Sequence, residues 1–406
     1  MDSARHLQMD RKWRIASEEE IISGKTTDIY FERAVQILKA EGLNPTVHAE
    51  VTVSGMPKEF GWGIVAGVND SLKLFEGKAV DIFGLEEGTF FKPRDPSGVK
   101  TPVFAIEGPY QEFATLETPL LGFLCHTSGM TTQTAHVRIA AGEKSLLSFG
   151  ARRTHPAITP QVEYAAFIGG CDGISCILGA EMLGVDPQGT MPHALIIAAG
   201  DHIRAWQAYD RYLSKDIPRI ALTDTYLDEV VESVMAADTI DNLVGVRLDT
   251  TSSRRGNFAR IIQEVRWELD IRGHEDVKIY ISGGLDVDSI EALHEAPVDG
   301  FGVGGAISNS PAIDFAMDIV MKQESGKWIP SAKRGKFSGR KSVWRCTSCF
   351  KDRVTLSEAT SPTCDCGNKM EKLTNQLMEK GKILHRTVSP NAIRKKVLTQ
   401  IERVEK

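Results

Sequence analysis

Four of the seven cysteines lie close together near the C-terminus, with a spacing that suits a metal ion. They form two pairs, Cys346 with Cys349 and Cys364 with Cys366. Four thiolates can surround a tetrahedral Zn²⁺, and close cysteine pairs favour that geometry. Two disulfides are one alternative, which a reducing compartment disfavours, and four free cysteines are the other, which would make the spacing a coincidence. Because all four donors are sulfur, the spacing predicts a structural rather than a catalytic zinc site.

Positive charge is concentrated directly after one short apolar run. Arg152, Arg153 and His155 follow the run Ser-Leu-Leu-Ser-Phe-Gly, which ends at Gly150. A guanidinium offers a two-pronged donor that fits a carboxylate. Adjacent cations at the end of a strand therefore indicate an anionic ligand, and simple exposure to solvent is the alternative.

Acids, an arginine and hydroxyl groups follow two further runs. Arg247 and Asp249 alternate along the end of a predicted strand, so their side chains share one face. Thr250 and Ser252 add hydroxyl groups, and Asp224 lies on the preceding predicted strand. The combination suits a sugar phosphate, because the acids can meet ribose hydroxyls or a metal-bound diphosphate and the arginine supplies charge. A helix cap is the alternative role for a strand-end aspartate.

Glycine-rich turns end the last two runs in a way that suits phosphate. Glycine lets backbone N–H groups approach a phosphate closely, and consecutive glycine loops late in an α/β barrel often form a phosphate site. Tight strand-to-helix turns are the alternative. The positions concerned are Ser282, Gly283, Gly284, Gly302, Gly304 and Gly305.

His193 lies in the stretch Gly-Thr-Met-Pro-His-Ala-Leu, between a turn and an apolar run. A histidine in such a place is usually a core or loop residue. Its place among the strand-end segments puts it on the same predicted edge as the arginines and the glycine turns, which makes it a candidate catalytic residue.

The elements that position these residues alternate between two kinds. Seven short apolar runs, each ended by Gly, Asp, Ser or Thr, recur between about residues 121 and 322, with amphipathic stretches between several of them. This alternation predicts parallel βα units and favours an α/β barrel with its active site where the strands end. The predicted domains are an N-terminal helix and β-rich domain over 1–119, the catalytic barrel over 120–330, and a zinc-binding domain and tail over 331–406.

The composition is that of an ordinary globular chain. It has 406 residues, 42% hydrophobic and 25% charged, with a net charge of −6. No apolar run reaches the roughly 20 residues that span a bilayer, and the charged N-terminus lacks a signal peptide. We therefore expect a cytoplasmic protein without a membrane or nucleic-acid partner. A zinc-bearing nucleic-acid-binding protein is the alternative from a different functional class, because basic residues flank the cysteines.

Six motifs together resemble the nicotinate phosphoribosyltransferase family over about residues 20 to 325. They are TDIY, FGARR, GTMPHAL, VRLDT, SGGLD and GVGG. The cysteine tail is similar to that of the archaeal-type members. The resemblance implies a type II phosphoribosyltransferase, with an irregular α/β barrel, a β-rich N-terminal domain and a small C-terminal zinc-binding domain. It also implies a homodimer or higher homo-oligomer with shared active sites.

The reaction implied by the resemblance is part of NAD salvage. Nicotinate and phosphoribosyl diphosphate give nicotinate mononucleotide and diphosphate, with Mg²⁺ and with ATP hydrolysis coupled through a phosphorylated histidine. By motif position His193 is that histidine, Arg247 lies between the substrates, and Asp249 faces the ribose or the Mg²⁺–diphosphate.

The resemblance further implies substrate-binding positions. Tyr30 stacks on the pyridine ring across a dimer interface, and Arg152 or Arg153 meets the nicotinate carboxylate. The remaining expected positions are Phe149 and Thr190 beside the ring, and Gly283, Gly284, Gly304 and Gly305 around the 5′-phosphate. This chain departs from the family after Asp249, where Ser-Gly-Asp is frequent and Thr-Thr-Ser-Ser-Arg-Arg-Gly-Asn stands here. Pro192 replaces the usual alanine before the histidine, and Gly305 replaces a frequent threonine.

Quinolinate and nicotinamide are the alternative substrates to nicotinate. Quinolinate phosphoribosyltransferase must neutralise two carboxylates, and the sequence offers mainly one arginine pair. That reaction also has no need of the histidine motif. Nicotinamide is neutral and would not call for the arginine pair.

Overall fold

The computed structural model describes residues 11–58, 60–384 and 388–404. Strands in this part of the chain are β1 (Thr46–Gly55), β2 (Gly63–Val65), β3 (Asp81–Gly84), β4 (Thr89–Phe91), β5 (Pro102–Pro109), β6 (Ser145–Ser148), β7 (Gly173–Ile174), β8 (Ile220–Leu222), β9 (Gly245–Leu248), β10 (Lys278–Ser282), β11 (Gly300–Val303), β12 (Asp314–Glu324), β13 (Lys327–Pro330), β14 (Lys341–Cys346), β15 (Asp352–Leu356), β16 (Met370–Lys372), β17 (Asn375–Glu379) and β18 (Lys382–Ile383).

The helices alternate with the strands mainly in the middle of the chain. They are α1 (Glu18–Ile22), α2 (Ile29–Ala40), α3 (Val68–Lys73), α4 (Glu117–Ala141), α5 (Thr159–Gly169), α6 (Ile177–Leu183), α7 (His193–Ala199), α8 (His202–Tyr212), α9 (Glu229–Thr239), α10 (Ser252–Arg255), α11 (Phe258–Asp270), α12 (Val287–Ala292), α13 (Gly305–Ser308) and α14 (Pro390–Val404). Among the described helices, none is both long and apolar enough to cross a membrane.

The chain divides into two compact units that each contain two separate segments. The sheet unit comprises the described residues up to 128 and those from 313 to 384. The barrel unit comprises 129–312 and the described residues from 388 onward. The two units differ in architecture, and each has its own apolar core.

The sheet unit is built on an antiparallel sheet in the order β13-β12-β1-β5-β3-β17-β18. Its centre is β1, which pairs with β12 on one side and β5 on the other. The β-branched residues Val47, Val51 and Val53 on β1 are buried, as hydrophobic side chains in a central strand should be. A smaller antiparallel sheet, in the order β15-β14-β16, carries the cysteine pairs near its strand ends.

The strand pairing of the sheet unit divides the chain into units that differ from the domains predicted from the sequence. The sequence predicts one domain over 120–330 and another over 331–406. Instead β12 hydrogen-bonds to β1, and β17 hydrogen-bonds to β3, so residues 313–384 belong to the sheet unit. The C-terminal helix α14 returns to the barrel unit and packs on α5. Pairing between strands so far apart in the sequence has no signal in the local composition. For this reason the predicted domain boundaries differ from those of the two units.

The barrel unit contains a curled parallel sheet, confirming the predicted α/β architecture. Its described strands pair in the order β7-β6-β11-β10-β9-β8, which is a half-barrel and not a closed ring. The apolar run around His193, expected to be a strand, forms an irregular segment followed by α7. Pro192 has no N–H to donate to a strand ladder and precedes the alanine- and leucine-containing helix, so this run favours a helix start.

Amphipathic helices cover the parallel sheet. In α11 the residues Phe258, Ile262, Val265 and Leu269 are buried, at the spacing that places them on one helical face. Asn257 caps this helix by accepting a hydrogen bond from the Arg260 N–H at 3.2 Å. Because the strands are parallel, their C-terminal ends meet at one edge of the sheet, where loops can build a site.

Candidate active site

A cavity of about 630 Å³ opens at the C-terminal edge of the parallel sheet. The segments after β6, β9, β10 and β11 contribute to its wall, together with the segment before α7. Most of the residues singled out in the sequence therefore meet in one place. The lining residues are Phe149, Ala151, Arg152, Arg153, Ser175, Gly189, Thr190, Met191, Pro192, His193, Ala194, Arg247, Asp249, Ser282, Gly283, Gly284, Gly302, Gly304 and Gly305.

His193 is held between two aspartates. Its Nε2 lies 2.9 Å from Oδ1 of Asp224, and its Nδ1 lies 4.0 Å from Oδ2 of Asp249. The Asp224 side chain is only 4% exposed, while that of His193 is 37% exposed. Burial raises the pKa of Asp224, and the neighbouring imidazole acts in the opposite direction. The imidazole is thus oriented through Nε2 by a buried carboxylate, while the His193 side chain as a whole is partly exposed in the cavity wall.

Asp224 also fixes the start of the next loop. Its Oδ2 accepts a hydrogen bond from the Asp249 N–H at 2.6 Å. Oδ1 of Asp249 in turn accepts a hydrogen bond from the Ser282 hydroxyl at 2.7 Å. Three successive strand ends, those of β8, β9 and β10, are therefore joined by carboxylate hydrogen bonds, and Oδ2 of Asp249 is left facing Arg247 and His193.

Arg247 is the most buried cation of the cavity. One Nη donates to Ser282 Oγ at 3.0 Å, the other donates to the Met191 carbonyl at 2.9 Å, and the guanidinium lies 5.9 Å from the Phe149 ring. Burial lowers the pKa of Arg247 from its usual value. Its Nε is buried without a partner among the described residues. This arginine is well placed to serve an anionic ligand but is already committed to two protein acceptors.

The glycines of the cavity are required by close approaches. A Cβ on Gly302 would lie 2.2 Å from the Phe149 ring, so the ring packs directly on the backbone of β11. Gly283 and Gly284 have φ values of +88° and +63°, the left-handed region that favours glycine. A Cβ on Gly283 would also lie 2.8 Å from Oδ1 of Asp249. The sequence thus specifies a tight turn with backbone groups at the cavity wall.

The arginine pair lies on the same wall. Arg152 and Arg153 occupy a short 3₁₀ turn, residues 151–153, and both are exposed. Neither guanidinium forms an ion pair within the described residues, so both are available to a ligand. Ser175 and Thr190 supply the nearby hydroxyl groups.

Several predicted positions lie outside the cavity wall. Asp224 is behind His193 as described above, and Thr250 is turned inward, donating to Glu229 at 2.7 Å. His155 accepts from the Ala157 N–H at 3.2 Å, as the cap of a short turn, and Ser252 is exposed at the start of α10. Tyr30 is 59% exposed on α2 of the sheet unit. The structure does not bring His155 or Ser252 into the wall of the cavity.

Two residues of the site were not foreseen. Ser175 lines the cavity and donates to the fully buried Glu163 at 3.3 Å, and burial raises the pKa of that acid. Arg255 contacts the glycine turn after β10. A charged residue among apolar ones in α5 could have pointed to Glu163, whereas the contacts of Arg255 depend on a tertiary approach that no local pattern encodes.

The cysteine cluster meets the geometric requirements of a metal site. Its four Sγ atoms lie within 4.8 Å of one another, with 3.5 Å between Cys346 and Cys366 and 3.4 Å between Cys349 and Cys364. Ligands bound at the usual Zn–S length stand about 3.8 Å apart in a tetrahedron. Cys346 and Cys364 are buried in a small core with Trp344 and Met370, so the cluster joins strands of the small sheet.

Comparisons with known proteins agree with this organisation. Family models of quinolinate phosphoribosyl transferase match residues 28–128 with the N-terminal domain and 130–318 with the C-terminal domain. The boundary between them coincides with the first division between the sheet unit and the barrel unit. Nicotinate phosphoribosyltransferase pncB2 of Mycobacterium tuberculosis is 27% identical over 359 residues, which cover 79% of this chain and 74% of that protein.

Solved structures share the whole fold. The nicotinate-nucleotide pyrophosphorylase of Pyrococcus furiosus is 46% identical, with a TM-score of 0.92, covering 98% of this chain and 99% of that chain. Human nicotinic acid phosphoribosyltransferase is 18% identical, with a TM-score of 0.71, covering 93% and 94% respectively. The latter likeness concerns the fold alone.

Proposed function

The chain belongs to the nicotinate phosphoribosyltransferase family and is a phosphoribosyltransferase of NAD biosynthesis, and we propose that its acceptor is nicotinate. We further propose that the transfer is coupled to ATP hydrolysis through a phosphorylated His193. The observation that carries this proposal is the 2.9 Å contact between Asp224 and His193, because His193 lies in the wall of the cavity that also holds the glycine turns.

The pair suits a phosphoryl acceptor. Because the Asp224 carboxylate accepts the Nε2–H of His193, the lone pair of the imidazole is on Nδ1. Attack of Nδ1 on the γ-phosphorus of ATP forms an N–P bond as the bond to the ADP oxygen breaks. The ring then carries a positive charge, which the buried carboxylate stabilises. Water later cleaves the N–P bond and releases inorganic phosphate, which returns the free imidazole.

Transfer of the phosphoribosyl group requires stabilisation of charge. The bond from ribose C1 to the diphosphate oxygen breaks as the pyridine nitrogen of nicotinate bonds to C1, through an oxocarbenium-like centre. Oδ2 of Asp249 faces the cavity and is suited to that positive centre or to a Mg²⁺ ion carried by the diphosphate. When bound, Mg²⁺ neutralises the leaving diphosphate. Arg152 and Arg153 are suited to the nicotinate carboxylate.

Quinolinate is the second candidate acceptor. It is favoured by the quinolinate phosphoribosyl transferase models and by the 46% identity to a protein named nicotinate-nucleotide pyrophosphorylase. A site for quinolinate must neutralise its two carboxylates, and one of these leaves as carbon dioxide during the reaction. Quinolinate would therefore engage both Arg152 and Arg153, whereas nicotinate needs only one of them, and Arg247 already donates to Ser282 and Met191. The His193–Asp224 pair would also have no role in that reaction.

One assay separates these acceptors. Purified protein is incubated with phosphoribosyl diphosphate and Mg²⁺ and with nicotinate, nicotinamide or quinolinate, each with and without ATP. We expect nicotinate mononucleotide from nicotinate, stimulated by ATP, with stimulation lost in His193→Ala. Product and carbon dioxide from quinolinate alone would refute the choice of acceptor, and ATP stimulation that survives in His193→Ala would refute the phosphohistidine.

The cysteine cluster forms part of the proposal as a structural Zn²⁺ site. Cys346, Cys349, Cys364 and Cys366 supply four sulfur donors. The backbone N–H of Cys349 donates to the Cys346 sulfur, and the side-chain amide of Asn368 donates to the Cys366 sulfur. Four thiolates leave no open position for a substrate. The expected role is to hold the strands β14, β15 and β16 together.

A homo-oligomer with shared active sites completes the proposal. Three residues on α2 are about 60% exposed and form an apolar surface, which is typical of an interface: Ile29, Tyr30 and Ile37. Tyr30 of the partner subunit would then stack on nicotinate. Sedimentation of the wild type and of Tyr30→Ala, together with the nicotinate KM of each, tests this; a monomeric wild type with full activity would contradict it.

A further inference from the structure

Arg255 lies against the glycine turn that follows β10. Its Nε donates to the Thr250 carbonyl at 2.8 Å, and its Nη2 donates to the Ser282 carbonyl at 2.8 Å and to the Gly283 carbonyl. A single guanidinium therefore holds three backbone carbonyls from two successive strand-to-helix loops. It belongs to the segment in which this chain departs from the family's Ser-Gly-Asp pattern.

These contacts set the direction of two backbone N–H groups. In a trans peptide the carbonyl and the following N–H point in opposite directions. With the carbonyls of Ser282 and Gly283 fixed on Arg255, the N–H groups of Gly283 and Gly284 point away from it. Both glycines line the cavity, and within the described residues neither N–H donates to a protein acceptor.

The turn would not keep this orientation unaided. Gly283 and Gly284 have positive φ values and can adopt many other conformations at little cost. The turn is confined on two sides, because a Cβ on Gly283 would lie 2.8 Å from Oδ1 of Asp249 and 3.1 Å from Nη2 of Arg255. The Arg255 guanidinium thus restricts the conformation of the turn, which the glycines alone would leave free.

We propose that Arg255 is a positioning residue for phosphate recognition: it holds the turn so that the Gly283 and Gly284 N–H groups stay directed at the 5′-phosphate of phosphoribosyl diphosphate. The inference rests on the proposed function for the identity of that ligand. Paired backbone N–H groups fixed in advance bind phosphate more tightly than flexible ones, because no ordering is needed on binding. Arg255 acts through the turn and not by its own charge.

The test compares three variants of the full-length protein. Arg255→Ala should raise KM for phosphoribosyl diphosphate about tenfold or more, the scale of lost hydrogen bonds to a charged group, with KM for nicotinate within about twofold. Arg255→Lys keeps the charge but lacks the planar fork, so it should remain impaired. Arg254→Ala is the matched control, because Arg254 is exposed on the same short helix, and it should match the wild type. Millimolar guanidinium should partly restore Arg255→Ala.

The outcomes separate this inference from the proposed function. A wild type that turns over none of the acceptors contradicts the function, and binding of ribose 5-phosphate by calorimetry then tests Arg255 alone. Equal changes in both KM values in Arg255→Ala, or a normal Arg255→Lys, would overturn the positioning role. If Arg255→Ala does not fold, the same comparison is made with Arg255→Lys, whose selective loss of phosphoribosyl diphosphate affinity supports the inference.

Discussion

Replacing Asp224 by asparagine changes the charge and the donor pattern behind His193 while keeping the side chain's shape. Both carboxylate oxygens of Asp224 accept hydrogen bonds, one from His193 Nε2 at 2.9 Å and one from the Asp249 N–H at 2.6 Å. An asparagine has only one acceptor oxygen. Its amide NH₂ must therefore face either the imidazole or the Asp249 N–H.

Either orientation damages the proposed phosphoryl transfer. If the NH₂ faces His193, the imidazole must accept at Nε2, so its proton moves to Nδ1 and the nucleophilic lone pair is lost from the cavity side. If the NH₂ faces Asp249, a buried donor is left opposite another donor. A hydrogen bond to a charged group contributes about 1.5–3 kcal/mol. That range corresponds to roughly a 10- to 150-fold loss of the ATP-stimulated rate.

The measurement is nicotinate mononucleotide formation with and without ATP, together with trapping of labelled phosphate on the protein under alkaline conditions. Asp228→Asn is the matched control. A single oxygen of Asp228 accepts from the Val230 and Val231 N–H groups at the start of α9, so an asparagine retains both bonds. Asp224→Asn with an unchanged melting temperature and ATP stimulation within twofold of the wild type would refute the reasoning.

Three further outcomes are expected. Burial raises the pKa of Glu87 to about 7, so the contribution of protonated Glu87 to stability is complete below about pH 4.5 and is lost as the pH rises through 7. In urea unfolding, the free energy of unfolding of the wild type should fall by up to about 3 kcal/mol across that pH window, and that of Glu87→Gln should not. Gly302→Ala places a methyl 2.2 Å from the Phe149 ring and should raise the nicotinate KM several-fold and cost about 1–3 kcal/mol; an unchanged KM would separate the ring from nicotinate binding. Elemental analysis should find about one zinc per chain, and its removal by a chelator, or Cys364→Ser, should lower the melting temperature; a metal-free protein of equal stability would exclude the structural site.

The site was predictable where its residues follow a local pattern. The alternation of Arg247 and Asp249 placed both side chains at one strand end, and the glycine pairs marked the two turns beside them. These signals depend on strand periodicity and on the φ freedom of glycine, which act over a few residues. The parallel α/β architecture followed from the same short-range alternation.

The remaining features depend on contacts between distant segments. Nothing near Asp314 indicates that β12 pairs with β1, so the predicted domain boundaries differed from the two units. The run at His193 has the hydrophobicity of a strand, but Pro192 and the following helix-forming residues direct it into α7. The contacts of Arg255 could not be predicted from the sequence, because its acceptors are backbone carbonyls, which every residue has.

The pairing of β1 with β12 has a consequence for synthesis on the ribosome. Val53 pairs with Phe315, 262 positions later because 315 − 53 = 262, and the whole parallel sheet is encoded between them. At about 5–20 residues per second, β1 waits some 13–50 s for that neighbour after its own emergence. Its other neighbour, β5, is synthesised much earlier, so β1, with its buried apolar face, spends the interval with one unpaired edge. The nascent chain is therefore most exposed to aggregation while the barrel unit is being synthesised, and slower elongation should lengthen that exposure.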